Sequence, residues 1–207
     1  MKSKNLSRDQ MVSNSLFVKL SLLSLFILIF KFSGFSQAEE LKNKIIWEED
    51  RPLTWDDFKG TADAGSKFYA LTNSGIYYQV QQESWTQFAV SVETFFDPKQ
   101  SWQKKNQVTD HLLQHEQLHF NIHELYSRLF IKSMIEAEFN DEKMVFIRIR
   151  ELYARALQDA QDFSNLYDKE TNHSVNKVEQ MVWNKKVNAL LEETKEFDLK
   201  EISLEVK

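Results

Sequence analysis

The hydrophobic pattern of this chain changes period once, between residues 96 and 109, and that change limits the fold more than any other feature. Residues 86–96, TQFAVSVETFF, alternate. Phe88, Val90, Val92, Thr94 and Phe96 share one face and Gln87, Ala89, Ser91 and Glu93 the other, the period of a half-buried strand. The stretch 68–80, FYALTNSGIYYQV, is rich in Tyr, Thr and Ile and is predicted to pair with it across the polar link QQESW. From Thr109 onward apolar residues recur at three and four. Thr109 and Asp110 open a first helix, whose stripe of Leu118, Ile122, Leu125, Leu129 and Ile135 runs to about Ala137. A second helix follows the link FNDE and carries Val145, Ile149, Leu152, Ala156, Ala160 and Phe163. A third runs from about Ser174 to Lys195 with Val178, Met181, Val182, Leu190 and Leu191. With only four glycines and two prolines in 207 residues, long uninterrupted elements are expected. The predicted class is α+β, a small antiparallel sheet followed by three helices. Ahead of the sheet, PLTWDDFKG (52–60) reads as a short capped turn, with Thr54 at the N-cap and Asp56 and Asp57 in the first turn.

The N-terminus predicts export. A basic opening (Lys2, Lys4, Arg8, Lys19) runs into LSLLSLFILIF (20–30), too short to span a bilayer comfortably. Gly34 and Ser36 then fit a signal-peptidase cut after Ser36. The expected mature protein is a single domain, residues 37–207, secreted or periplasmic and without a stable membrane span; an uncleaved N-terminal anchor is the alternative. It would carry 21 basic and 30 acidic residues, a net charge near −9, which argues against a nucleic-acid partner. The chain has no cysteine, so any metal site must use His, Asp or Glu.

Four of the five histidines lie in DHLLQHEQLHFNIHELY (110–126), at positions 111, 115, 119 and 123. A spacing of four overshoots a helical turn by roughly 40°, so the four rings fall within a stripe about 120° wide. Only one pair encloses the residue a hydrolase needs: His115-Glu116-Gln117-Leu118-His119 is H-E-x-x-H. Two imidazoles one turn apart can reach one Zn2+, and Glu116 between them can act as general base on water. The other pairs have Leu112 or Phe120 where that base would stand. A catalytic zinc site usually has three protein ligands and an open position. Position 125, ten residues after His115, is Leu, and His123 lies about 80° round the helix from His115. The remaining candidate is His173, in YDKETNHSVN (167–176), read as the polar connection between the second and third helices. In the same stretch Tyr167 is a candidate donor to an oxyanion, and Asp168 a candidate partner for the outer nitrogen of a ligand imidazole.

Four ordered stretches, LTWDDFKG (53–60), ALTNSGIYY (70–78), HEQLHFNIHE (115–124) and YDKETNHSVNKVEQMVWN (167–184), resemble a bacterial family known as domain of unknown function 922, whose members are described as predicted secreted zinc-dependent proteases. The resemblance spans residues 47–191. It implies that His115 and His119 match a zinc pair, Glu116 a general base, and His173 a histidine of the second polar motif. In that family a glycine often follows this histidine, whereas Ser174 stands here.

The resulting expectation is a zincin-like, zinc-dependent hydrolase acting on a peptide or protein substrate. His115, His119 and His173 would bind zinc, Glu116 would activate water, and an edge strand would pair with extended substrate. The alternative is a non-enzymatic exported metal-binding or partner-binding protein. Oligomeric state and cleavage specificity are not encoded in any readable pattern.

Overall fold

The computed structural model of the protein describes residues 39–207, so the expected signal segment and its cut after Ser36 lie outside the described residues. The chain divides into two units, 1–42 and 43–207, and the second holds the elements that follow. It is α+β. Strand β1 (Ile45–Ile46) precedes β2 (Ala70–Leu71), β3 (Ser74–Gln82), β4 (Gln87–Phe96) and β5 (Trp102–Gln103). Helices α1 (Asp110–Glu136), α2 (Val145–Thr171) and α3 (Lys177–Glu193) come next, and β6 (Glu201–Glu205) ends the chain. Among the described residues no helix is long and apolar enough to cross a membrane.

Strand β4 is the centre of the main sheet. It pairs antiparallel with β3 from Ser74↔Phe96 to Gln82↔Phe88. Its other edge is shared end to end by β1, through Ile45↔Phe96, and β6, through Val90↔Ile202. The alternation read from the sequence holds along β4: Phe88, Val90, Val92, Thr94 and Phe96 are the buried residues. The stretch expected as one strand over 68–80 is broken. Asn73 donates its N–H to Ser101 Oγ (2.9 Å) and accepts from Asp97 N–H (2.8 Å), so the chain leaves the main sheet there, and β2 pairs separately with β5. That break frees residues 67–73 to form a wall beside α1.

Helix α1 is buried on more than one side. Phe130, Ile131 and Met134 join the sheet residues Ile76, Phe88 and Val92 and the α2 residues Val145 and Ile149 in one core. Leu118, Phe120, Ile122 and Leu125 join Trp47, Phe96, Tyr167, Trp183 and Val187 in a second. Thr109 starts the helix by accepting Leu112 N–H (3.2 Å), as its N-cap residue type allows. Covered in this way, α1 can keep His115 and Glu116 buried in mid-helix, where isolated polar groups would be costly unless paired.

Glu124 is buried with Arg128. Arg128 donates to Glu124 Oε1 (2.8 Å), to the Leu191 carbonyl (2.8 Å) and to Asp198 Oδ2 (2.9 Å), and lies over the Trp47 ring. This one side chain ties α1 to the end of α3 and to the link into β6. Burial pushes the Glu124 carboxyl up against the opposing pull of Arg128. Arg128→Ala leaves that carboxylate buried without its partner and is expected to cost about 3–5 kcal/mol, read as a lower urea midpoint at unchanged slope.

Candidate metal centre

All five histidines line one cleft of about 850 Å³, together with Glu116 and Asp168. Its floor is α1, one wall is the extended segment 67–74, and the other is the end of α2 with residues 172–175. Thr72 Oγ donates to the Glu116 carbonyl (3.2 Å), fixing that wall to the helix turn that carries the motif.

Each helix presents a pair of polar residues four apart, so both members share a face. On α1 these are His115 and His119, on α2 Ser164 and Asp168, and on α3 Gln180 and Asn184. The Nε2 atoms of His115 and His119 lie 3.3 Å apart, and each is 3.1 Å from Asp168 Oδ1. Among the described residues this is the group of His and carboxylate atoms that could hold a metal ion. A tetrahedral zinc ion at about 2.0–2.1 Å from its ligands separates them by about 3.3–3.4 Å, so the three atoms fit with small adjustment.

The outer contacts favour that use of the inner nitrogens. His115 Nδ1 lies 3.0 Å from Gln180 Oε1, an oxygen that also accepts Tyr167 O–H (2.7 Å), while Gln180 Nε2 donates to Asn184 Oδ1 (2.8 Å). An acceptor oxygen there requires the proton on Nδ1. In the neutral ring Nε2 is then the lone-pair atom, turned toward a carboxylate, an arrangement that needs a cation between them or a proton on the ring. His119 Nδ1 has its own outer partner in Ser164 Oγ (3.4 Å). The electrostatics agree. Burial would lower the His119 pKa, but the Asp168 and Glu116 carboxylates outweigh it and the value is raised. Burial would raise Asp168, yet bonds from His115 and His119 hold its carboxyl well below the usual range.

Glu116 is buried at 5% exposure and lines the cleft beside the group without belonging to it. Asp168, expected at an outer nitrogen, instead faces the two inner ones. Tyr167, expected as an oxyanion donor, is fully buried behind the site and does not line the cleft. Its ring stacks on His115 (4.6 Å between centroids, 26° between planes), its hydroxyl is committed to Gln180, and burial pushes its pKa up. Its position supports the His115 ring and commits its hydroxyl to Gln180.

His173 stands at the rim, outside the group, with Nδ1 3.6 Å from Asp168 Oδ1 and its ring against Phe68. The segment expected as a loop over 167–176 is helical to Thr171 and then turns through three left-handed residues, Asn172, His173 and Ser174 (φ 47°, 50° and 71°). Ser174 thus occupies the backbone region that favours glycine. His111 Nε2 donates to the Ser174 carbonyl (2.7 Å), and His123 Nδ1 lies 2.8 Å from Ser74 Oγ. Burial holds the His123 pKa down at about 4, so that ring is neutral at ordinary pH.

Sequence reasoning missed Gln180 and Ser164. Gln180 was legible in one respect, since it lies at i−3 and i−7 from the buried Trp183 and Val187. Its role predicts that Gln180→Ala weakens zinc binding about 10–100-fold, read by competition with a chromophoric chelator, while the far-ultraviolet spectrum is unchanged. No family model, curated protein or solved structure matches the chain.

Proposed function

We propose that the chain is a zinc-dependent hydrolase of peptide bonds, zincin-like in its use of an H-E-x-x-H helix, with His115, His119 and Asp168 as zinc ligands and Glu116 as general base. The observation that carries this reading is the His115–His119–Asp168 group set beside a buried Glu116 in an open cleft. Asp168 replaces His173 as third ligand because its oxygen already lies within 3.1 Å of both inner nitrogens.

Zinc bound there supplies Lewis acidity and brings the pKa of water toward neutrality. The chain's own residues do the rest. Glu116 takes a proton from the attacking water as its oxygen bonds to the carbonyl carbon, and the carbonyl π pair moves onto the oxygen. Glu116 then delivers the proton to the amide nitrogen, the C–N bond breaks, and the acid so formed passes its remaining water proton to the departing amine, so that a carboxylate and an ammonium ion leave. Asp168 and Gln180 orient the two imidazoles throughout. Substrate binding is supported by β2, which among the described residues pairs with β5 and whose Ala70 and Leu71 line the cleft where an extended peptide would lie. The open side of the ligand group favours an enzyme over a closed, structural metal site.

The test is turnover of an internally quenched peptide library by the purified chain with one equivalent of zinc. Cleavage that a chelator abolishes and added zinc restores is the expected result. A zinc-loaded chain that cleaves nothing would overturn the reading, and a site closed by four protein ligands would then identify the binding protein.

A further inference from the structure

Resting on that reading, the geometry points to His173 as a second catalytic residue, donating a ring N–H to the scissile carbonyl oxygen as negative charge develops on it. Four of the five histidines in the cleft have a ring nitrogen within hydrogen-bond distance of a fixed partner. His111 reaches the Ser174 carbonyl, His115 and His119 reach Gln180, Ser164 and Asp168, and His123 reaches Ser74. His173 is the exception. Its Nδ1 lies 3.6 Å from Asp168 Oδ1, and its side chain, 41% exposed, lines the cleft.

The free ring sits on a backbone that is fixed. Asn172, His173 and Ser174 all have left-handed φ angles, a conformation that persists in non-glycine residues only where surrounding structure enforces it. The enforcing contacts are present. The His173 N–H donates to the Asp168 carbonyl (2.9 Å), the Asn176 N–H to the Thr171 carbonyl (2.7 Å), and the His111 ring to the Ser174 carbonyl. The Phe68 ring, 4.7 Å from the imidazole centroid, backs the ring from the opposite wall. A restrained backbone carrying an uncommitted donor next to a ligand atom is the arrangement oxyanion stabilisation requires. Tyr167, the other aromatic donor of this segment, has its hydroxyl committed to Gln180.

The step balances without a proton leaving His173. As the water oxygen bonds to the carbonyl carbon, the π pair localises on the oxygen, which the imidazole N–H stabilises by hydrogen bonding. When the C–N bond breaks, that pair reforms the carbonyl.

The experiment compares zinc-loaded wild type, His173→Ala and His173→Gln on one quenched peptide, with zinc content and the affinity of a phosphonamidate peptide measured alongside. The expected result is a loss of about 10²–10³-fold in kcat for His173→Ala with KM within about twofold. Zinc stays at one per chain, the phosphonamidate weakens by a similar factor, and the glutamine variant regains part of the loss. Loss of zinc in both variants would make His173 a ligand, and unchanged kcat would leave it without a catalytic role; either overturns the inference while leaving the hydrolase reading intact. A wild-type chain without turnover would overturn the hydrolase reading and this inference together.

Discussion

Glu116→Gln is expected to lower kcat by about 10²–10⁴-fold while the chain still binds one zinc ion. The two halves of that result have different origins. Glutamine keeps the volume of a residue packed in the middle of α1 but cannot accept the proton of the attacking water. Zinc should be retained because the group proposed to hold it is His115, His119 and Asp168, and Glu116 is not part of it. Peptide turnover and zinc content measured on the same preparation check both halves. Turnover at the wild-type rate would show that another group is the base.

Asp168→Ala is expected to have the largest effect on metal binding. It removes one of the three atoms proposed to ligate zinc and also the carboxylate that raises the His119 pKa and makes the inner nitrogens face a negative charge. Zinc affinity should fall by more than the ~10–100-fold expected for an outer partner such as Gln180. Binding to the folded state alone at a thousand times Kd stabilises by about 4 kcal/mol, so the rise in Tm on adding zinc to wild type should be lost in this variant. His173→Ala is the control. It should keep both zinc and the rise in Tm, and a variant pair that behaved the other way round would return the third ligand to His173.

Much of the helix that carries the candidate site was legible from sequence. A spacing of four put the histidines on one stripe, Glu116 distinguished one pair from the other two, and Thr109 marked the start. The placement of Asp168 beside the two histidines was harder to read for a local reason. Residues 167–171, YDKET, have no apolar period, so they read as a connection, yet no glycine or proline interrupts them and α2 continues to Thr171. That extension carries Asp168 on the same face as Ser164, toward α1, while the left-handed turn that follows carries His173 to the rim.

Helix α3 differs for a related reason. Of the apolar residues expected along it, Leu191 is buried, whereas Val178, Met181 and Val182 are 64%, 59% and 53% exposed. The buried face is Gln180, Trp183, Val187 and Leu191. Periodicity assigns inward positions to apolar residues, and a buried glutamine is admissible only because His115, Tyr167 and Asn184 satisfy it. Strand β6 escaped notice because its alternation, with Ile202 and Leu204 inward, is short and follows a helix. It has a strand's meaning only once β4 offers an edge. In each case the missing information was the partner across space, which a local pattern does not contain.

If His115, His119 and Asp168 hold one zinc ion at the floor of the cleft, anomalous diffraction at the zinc edge from crystals of the zinc-loaded protein should show a single peak about 2.0–2.2 Å from His115 Nε2, His119 Nε2 and Asp168 Oδ1, with the remaining position facing the cleft. A peak coordinated by His173 in place of Asp168, or no peak at the two helix histidines, would contradict it.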